Sequence, residues 1–169
     1  RKTVHLTIDG RFLEVEEGRT ILQAAREFGI FIPTVCYMEH LSPYGGCRIC
    51  VVEISYEGGK PLIDTSCTHE VREGMVVQTK SPRIIRARKM LAELLVASAP
   101  NVKMAQDLAA RMGILKVRFP MEDHRCILCG RCIRMCYEQM DGRALGFAGR
   151  GTGRKISMPF NTRPETCRL

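Results

Sequence analysis

Apolar and polar residues alternate in two short runs at the start of the chain, and this pattern predicts a β-hairpin. Residues 4–8 read Val-His-Leu-Thr-Ile, an Asp-Gly pair follows at residues 9–10, and the alternation resumes at residues 12–15. Alternation with a period of two is typical of a half-buried strand, and an Asp-Gly turn between two such runs indicates a hairpin. Two later apolar runs, residues 51–54 and 75–79, predict further strands.

Residues 20–28 interrupt these strands with a helical pattern. Thr20 can cap the helix at its N-terminus, and Gly29 can end it in the left-handed conformation. A hairpin, one helix and further strands within about 80 residues predict a small mixed sheet wrapped over the helix, which is an α+β arrangement.

A second helical region begins at Ser81-Pro82, where proline in the first turn is well tolerated. Pro100 ends this helix, Asn101 can cap another, and Gly113 can end that one. A spacing of three and four predicts one buried face on the first of the two helices. The predicted face consists of Ile84, Ile85, Ala87, Arg88, Leu91, Leu94, Leu95 and Ser98.

The cysteine content directs the interpretation towards metal or redox chemistry. The chain has nine cysteines in 169 residues. No secretory signal precedes the first strand, so a disulfide scaffold is disfavoured and a cytoplasmic location is expected. No apolar stretch approaches the roughly 18 residues that a membrane helix needs, so no direct membrane insertion is expected.

The net charge of +8 is compatible with a nucleic acid, an acidic partner or a surface docked in a complex. The basic residues are scattered, and no run of five or six like charges forms a basic tail. We therefore expect a solvated surface with some docking bias and no nucleic-acid partner. A zinc-binding nucleic-acid module is the alternative that an absence of iron in the purified protein would favour.

The first half of the chain holds four cysteines as one close pair and two distant singles: Cys36, Cys47, Cys50 and Cys67. A structural zinc site usually presents two close pairs, whereas each iron of a [2Fe-2S] cluster takes two cysteines from a folded loop. The spacing therefore favours a [2Fe-2S] cluster over zinc. Gly45 and Gly46 would let the backbone approach the cluster and aim amide hydrogens at sulfur, although a plain turn would also need them.

The second half begins its own cysteine series with the spacing C-x2-C-x2-C-x3-C. Three thiolates spaced in this way surround one face of a [4Fe-4S] cluster, and Gly130 gives the loop its tight turn. The three are Cys126, Cys129 and Cys132, and the fourth cysteine is Cys136. In two-cluster ferredoxins the fourth cysteine of such a run binds the other cluster, so Cys136 is assigned to a second [4Fe-4S] cluster.

Cys167 stands apart, two residues before the last residue of the sequence. Either the chain continues beyond Leu169 and supplies the remaining ligands, so that Cys167 joins Cys136 at a second [4Fe-4S] cluster, or there is one such cluster. In the second case Cys136 or Cys167 completes it. We favour truncation, because a protein that ends inside a cluster motif would be an unusual design.

These patterns divide the chain into three predicted parts. Residues 1–80 form the α+β domain with the first cysteine set, residues 81–120 form a helical connector, and residues 121–169 form a [4Fe-4S] ferredoxin-like domain that is truncated at its C-terminus.

The first domain resembles the N-terminal iron–sulfur region of a known family, in its strand, turn, glycine and cysteine positions. The matching segments are residues 6–10, 16–22, 32–37, 45–53, 66–68 and 74–77. The family includes the large iron–sulfur subunit of respiratory complex I, iron-only hydrogenases, the diaphorase part of NAD-reducing hydrogenases and NAD-linked formate dehydrogenases. The resemblance implies a β-grasp, ferredoxin-like domain whose four cysteines hold a [2Fe-2S] cluster.

The segment with the second cysteine series, residues 123–132 together with 145–151, resembles the two-cluster ferredoxin domain that follows in the same family. One departure from the family lies between the two domains. The family usually carries a [4Fe-4S] motif of one histidine and three cysteines there, whereas residues 95–113 contain neither residue type. We therefore expect that cluster to be absent.

The resemblance also implies a function and partners. It implies a subunit that relays single electrons between a flavin-bearing, NAD(P)H-linked subunit and a catalytic subunit such as a hydrogenase, a formate dehydrogenase or a heterodisulfide-reductase-like protein. The alternative is the N-terminal relay region of a larger oxidoreductase whose catalytic domain lies beyond Leu169. Arg131 and Arg134 are hypothesised to steer an acidic partner.

Overall fold

The computed structural model describes residues 2–161, so Cys167 lies outside the described residues. Its strands are β1 (Thr3–Ile8), β2 (Arg11–Glu16), β3 (Val51–Ser55), β4 (Leu62–Thr65), β5 (Met75–Gln78), β6 (Gly146–Ala148) and β7 (Lys155–Ser157). Its α-helices are α1 (Ile21–Glu27), α2 (Pro82–Ser98), α3 (Lys103–Arg111) and α4 (Arg131–Arg134). A π-helical turn, Met135–Gln139, continues α4.

The main sheet has five strands in the order β2-β1-β5-β3-β4. The central pair β1 and β5 runs parallel, and the other neighbours run antiparallel. Asp9 and Gly10 both have positive φ, 50° and 81°, and connect Ile8 to its register partner Arg11. Two positive φ values are what a two-residue hairpin turn requires, so the predicted hairpin is confirmed.

Helix α1 covers one face of this sheet, as the sequence predicts. The Thr20 side chain accepts a hydrogen bond from the Gln23 backbone, and the Gln23 side chain accepts one from the Thr20 backbone, which is a capping box. Gly29 ends the helix with φ of 70°. The core between helix and sheet is formed by Leu6, Ile8, Leu13, Ile21, Leu22, Val52, Ile54, Met75 and Val77. The α+β, β-grasp arrangement is thereby confirmed.

Helix α2 begins as predicted, and its buried face agrees with the predicted one only in part. The Ser81 hydroxyl caps it by accepting from the Ile84 backbone N–H. Ile85 and Leu94, both expected on the buried face, are 53% and 44% exposed. The buried residues are Ile84, Arg88, Ala92 and Val96, spaced four apart, together with Glu93 and Ala97 one position further along. The spacing of three and four predicts Ile84 and Arg88 correctly but extends the buried face to Ile85 and Leu94, which lie on the exposed side of the helix.

The N-cap of helix α3 lies one residue later than the sequence predicts. Val102 occupies the N-cap position, whereas the Asn101 side chain donates to the Asp123 carboxylate at 3.2 Å. Gly113, with φ of 63°, follows the end of the helix as predicted.

Within residues 2–161, none of the helices has the length and apolar character needed to cross a membrane.

Candidate metal centres

The β3–β4 hairpin and the loop after α1 bring the first four cysteines together. Cys50 directly precedes β3 and Cys67 follows β4, and the Ser66 amide donates to the Cys50 carbonyl at 3.1 Å. Cys36 and Cys47 lie at the two ends of an irregular loop. Three of the four residues are buried, and Cys47 is half-buried.

The four sulfurs form two pairs. The Cys47 thiol donates to the sulfur of Cys36, which lowers the pKa of Cys36 to about 5 and raises the pKa of Cys47 above its usual value. The Cys67 thiol donates to the sulfur of Cys50 in the same way, lowering the pKa of Cys50 to about 6 and raising the pKa of Cys67. Among residues 2–161, no group of three or more His, Cys, Asp or Glu side chains is arranged to hold one metal ion.

A set of backbone amides points at these sulfurs. The sulfur of Cys36 accepts from the amides of Gly46 and Cys47, and the sulfur of Cys47 accepts from the amides of Ile49 and Cys36, the last at 3.4 Å. Amide hydrogens stabilise negative charge on sulfur, as a cluster that gains an electron requires. The two sulfur pairs and their donors therefore fit a two-iron cluster.

The two positions before Cys47 require glycine for different structural reasons. Gly45 has φ of 66°, and a Cβ there would lie 3.2 Å from the Thr68 side chain. At Gly46 a Cβ would lie 2.1 Å from Cε1 of the Tyr44 ring. The amide of Gly46 does point at sulfur, as the sequence analysis expects, but its missing side chain also makes room for an aromatic ring that no pattern in the chain indicates.

Sequence reasoning missed Arg88 as a candidate functional residue. Its guanidinium is buried on α2 and donates to the carbonyls of Val51 at 2.7 Å and Thr79 at 2.9 Å. Burial lowers the pKa of Arg88, and the negative charges of Cys50 and Asp9 act in the opposite direction. The one available signal was an arginine within the apolar stripe of α2.

The second cysteine series lies on the loop before α4. Cys126 and Cys132 are exposed and Cys129 is half-buried. Burial, followed by the charges of Cys129 and Cys126, raises the pKa of Cys132, so the three thiols are close enough to interact. Gly130 has φ of 67° and precedes α4, in agreement with the predicted tight turn. Two exposed thiols and one half-buried thiol on a single loop fit the face of a [4Fe-4S] cluster, whose remaining ligand comes from elsewhere.

Cys136 is separated from these three by its environment. It is buried in the π-helical turn, and its sulfur accepts from the backbone amide of Ala144 at 3.3 Å. The structure therefore leaves its assignment to a second cluster as a prediction.

The two cysteine series are in contact through the loop at residues 37–44. Arg131 donates to the carbonyl of Tyr37 at 3.1 Å, and Arg134 donates to the carbonyl of Ser42 at 2.6 Å. Glu138 accepts from the Ser42 backbone amide at 2.7 Å. Both guanidinium groups are therefore engaged inside the molecule, and the hypothesis that Arg131 and Arg134 steer an acidic partner stays a prediction.

Two family models match the chain at the positions of the two cysteine series. The model of the 2Fe-2S iron-sulfur cluster binding domain matches residues 1–82. The model described as NADH-quinone oxidoreductase subunit 3, ferredoxin-like domain, matches residues 117–165. The chain accordingly has a [2Fe-2S] cluster and one or two [4Fe-4S] clusters as its cofactors.

Curated relatives include an NADH-quinone oxidoreductase subunit of Rhizobium meliloti, which is 34% identical over 88% of this chain and 20% of the relative. The gamma subunit of the NAD-reducing hydrogenase HoxS of Cupriavidus necator is 29% identical over 85% of this chain and 70% of the relative. A chain in the crystal structure of an NAD⁺-reducing [NiFe]-hydrogenase in the H₂-reduced state matches with a TM-score of 0.81 and 29% identity. That match covers 92% of this chain and 74% of the other.

This chain therefore spans about a fifth of the length of the first of these relatives. The relatives are subunits of multisubunit oxidoreductases, as their names state. The comparisons confirm the family resemblance found in the sequence.

Proposed function

We propose, on the premise that the chain belongs to the iron–sulfur subunit family shared by NADH-quinone oxidoreductases and NAD-reducing hydrogenases, that it relays single electrons within a multisubunit oxidoreductase. The proposed donor or acceptor on one side is a flavin-bearing, NAD(P)H-linked subunit, and on the other a catalytic subunit. The proposed location is the cytoplasm, where thiolate ligands stay reduced.

One observation carries this proposal: a ligand candidate from each cysteine series packs on the same small apolar cluster. Its buried members are Val35, Ile49, Ala92 and Leu108, and both Cys47 and Cys129 lie against it. An electron tunnels between two centres at a rate that falls steeply with their separation. Two cluster sites that share one patch of packed side chains are therefore suited to exchange electrons.

The proposed ligands follow the two series. Cys36 and Cys47 hold one iron of the [2Fe-2S] cluster, and Cys50 and Cys67 hold the other. Gly45, Gly46 and Gly130 shape the two binding loops. The first [4Fe-4S] cluster is assigned to Cys126, Cys129 and Cys132, and the second to Cys136 and Cys167.

The bound clusters supply one-electron redox chemistry, and the residues of this chain supply its setting. Buried side chains on the sheet side exclude water from the first site, which strengthens every electrostatic interaction there. The amides of Gly46 and Ile49 are fixed by the loop and need no rearrangement when negative charge increases. Arg88 adds a buried positive charge on the Cys50 side.

The domain division is part of the same proposal. Residues 1–80 form the [2Fe-2S] domain, residues 81–120 the helical connector and residues 121–169 the [4Fe-4S] domain. One family match ends near the start of the connector and the other begins near its end, which supports this division.

The second candidate function is the N-terminal relay region of a larger oxidoreductase. It is supported by the length of the Rhizobium meliloti relative, of which this chain covers only about a fifth. A reading frame that continues for several hundred residues would favour this candidate.

The test is iron and sulfide analysis combined with EPR spectroscopy of the anaerobically reduced protein. We expect Cys47→Ala to remove the [2Fe-2S] signal and to leave the [4Fe-4S] signal, because Cys47 belongs to the first series. Cys129→Ala is the matched variant and should have the opposite effect. Zinc in place of iron, or loss of both signals in each variant, would contradict the proposal.

A further inference from the structure

The guanidinium group of Arg134 lies between the two cluster-binding loops. Its Nη2 donates to the carbonyl oxygen of Cys36 and, at 3.4 Å, to the carbonyl oxygen of Cys129. Its Nη1 donates to the carbonyl of Ser42 at 2.6 Å. One side chain therefore bonds to a ligand residue of each proposed cluster and to the loop that separates Cys36 from Cys47.

The surroundings of Arg134 hold it in this position. The Tyr44 ring centroid lies 5.7 Å from its guanidinium carbon, which is within the range of a cation–π contact. Glu138, one turn along the chain, accepts from both the amide and the hydroxyl of Ser42. The loop on the [2Fe-2S] side is thus tied to α4 and the π-helical turn on the [4Fe-4S] side.

We infer that Arg134 is a positioning residue for electron transfer between the two clusters: it fixes their separation and provides a hydrogen-bonded connection from Cys36 to Cys129. The inference rests on the proposed function. A planar guanidinium can serve several carbonyl groups at once with its fixed fork of donors, whereas a lysine ammonium is a compact charge on a flexible stem. The geometry accordingly requires arginine rather than any cation.

Arg131 provides a matched control. It lies on the same helix and donates to the same loop, at the carbonyl of Tyr37. As in Arg134, its Nε is buried and has no hydrogen-bond partner among the described residues. None of the described hydrogen bonds of Arg131 reaches a cysteine, so a change there weakens the docking of the loop without removing the connection between ligand residues.

The experiment compares Arg134→Met, Arg134→Lys and Arg131→Met in the full chain loaded with its clusters. Two quantities are measured: the relaxation enhancement that the reduced [4Fe-4S] cluster causes in the [2Fe-2S] EPR signal, and the rate of electron exchange between the clusters after photoreduction. For Arg134→Met we expect a lower exchange rate and a weaker relaxation enhancement, because electron tunnelling slows steeply as the separation of the two centres increases. Arg134→Lys should also be slow, and Arg131→Met should keep the exchange rate of the original chain.

Each outcome separates the inference from the function on which it rests. An unchanged rate and relaxation in Arg134→Met, or an equal loss in Arg131→Met, would overturn the inference and leave the relay intact. If neither Arg134 variant assembles a cluster, Arg134 acts in cluster assembly, and this result would also overturn the inference. Absence of clusters from the unaltered chain would instead refute the proposed function.

Discussion

At the scale of single residues, the buried charge of Arg88 has a consequence for the first cluster. A [2Fe-2S] cluster becomes more negative by one charge when it is reduced, and a nearby positive charge in a region of low dielectric favours that state. Arg88 forms no ion pair within residues 2–161 and donates instead to the carbonyls of Val51 and Thr79, so its charge is not cancelled by a bonded carboxylate.

We therefore expect Arg88→Met to make the midpoint potential of the [2Fe-2S] cluster more negative, by on the order of 50 mV. The measurement is an EPR-monitored redox titration. Arg88→Lys keeps the charge, so its midpoint potential should stay closer to the original value. Arg86→Met removes a charge at an exposed position of the same helix and should leave the midpoint potential unchanged. A less negative potential in Arg88→Met would contradict this electrostatic account.

At this scale the candidate ligands follow from the sequence, because the spacing of the cysteines is read directly from the chain, and their assignment to individual clusters stays a prediction. Tyr44 and Arg88 could not be predicted in their roles. The Tyr44 ring occupies the space that a side chain at Gly46 would fill, and the Arg88 donors are directed to carbonyls of β3 and of the residue after β5. Both arrangements depend on segments that are distant in sequence and meet only in the fold.

At the scale of elements, the Glu93 carboxylate on α2 binds Arg118 in the segment that follows α3. Glu93 is 3% exposed and accepts from the Arg118 backbone amide at 2.6 Å and from its Nη2 at 2.7 Å. The hydrogen bonds from the Arg118 side chain, and then from its amide, lower the pKa of Glu93. Such a charge-assisted, two-pronged contact is stronger than an ordinary neutral hydrogen bond.

We expect Glu93→Gln to lower the thermal unfolding midpoint at pH 7, because the variant loses the charge that pairs with Arg118. The pKa of Glu93 is lower in the folded chain than its usual value of 4.5, so its stabilising effect is present above that pH and is lost only below it. The difference between the two proteins should therefore stay constant from about pH 8 to about pH 5.5. Circular dichroism under argon measures it, with the exposed Glu57→Gln as control; a difference that shrinks within this range would contradict the assignment.

The elements themselves followed closely from sequence, and the exceptions have a common cause. The hairpin, α1 and its caps depend on neighbours within a few residues, so their local signals suffice. The buried face of α2 depends on which side meets β3, which no local pattern contains. Asn101 was expected to cap α3, but Asp123 offers its side chain a tertiary partner instead.

At the scale of the whole molecule, the joining of the two cluster-binding regions could not be foreseen from the sequence. The hydrogen bonds from Arg131, Arg134 and Gln139 reach loop residues more than 90 positions earlier in the chain. The ring of Tyr44 stacks on Phe147 with 5.9 Å between centroids, which adds an aromatic contact to the same interface. The loop at residues 37–44 thus depends on both cysteine series for its conformation.

This dependence predicts an uneven response to removal of the clusters. The hairpin and α1 are held by fully buried apolar side chains such as Leu6, Ile8 and Leu22, and their amides should stay protected from hydrogen exchange when a chelator strips the iron. Residues 37–44 and 126–139 lose the iron that holds the neighbouring cysteines in place, so exchange there should accelerate by about tenfold or more. Mass spectrometry of peptides from both regions, with the cluster-loaded protein as control, measures this. Equal acceleration in β1 and β2 would mean instead that the β-grasp core itself is held together by iron.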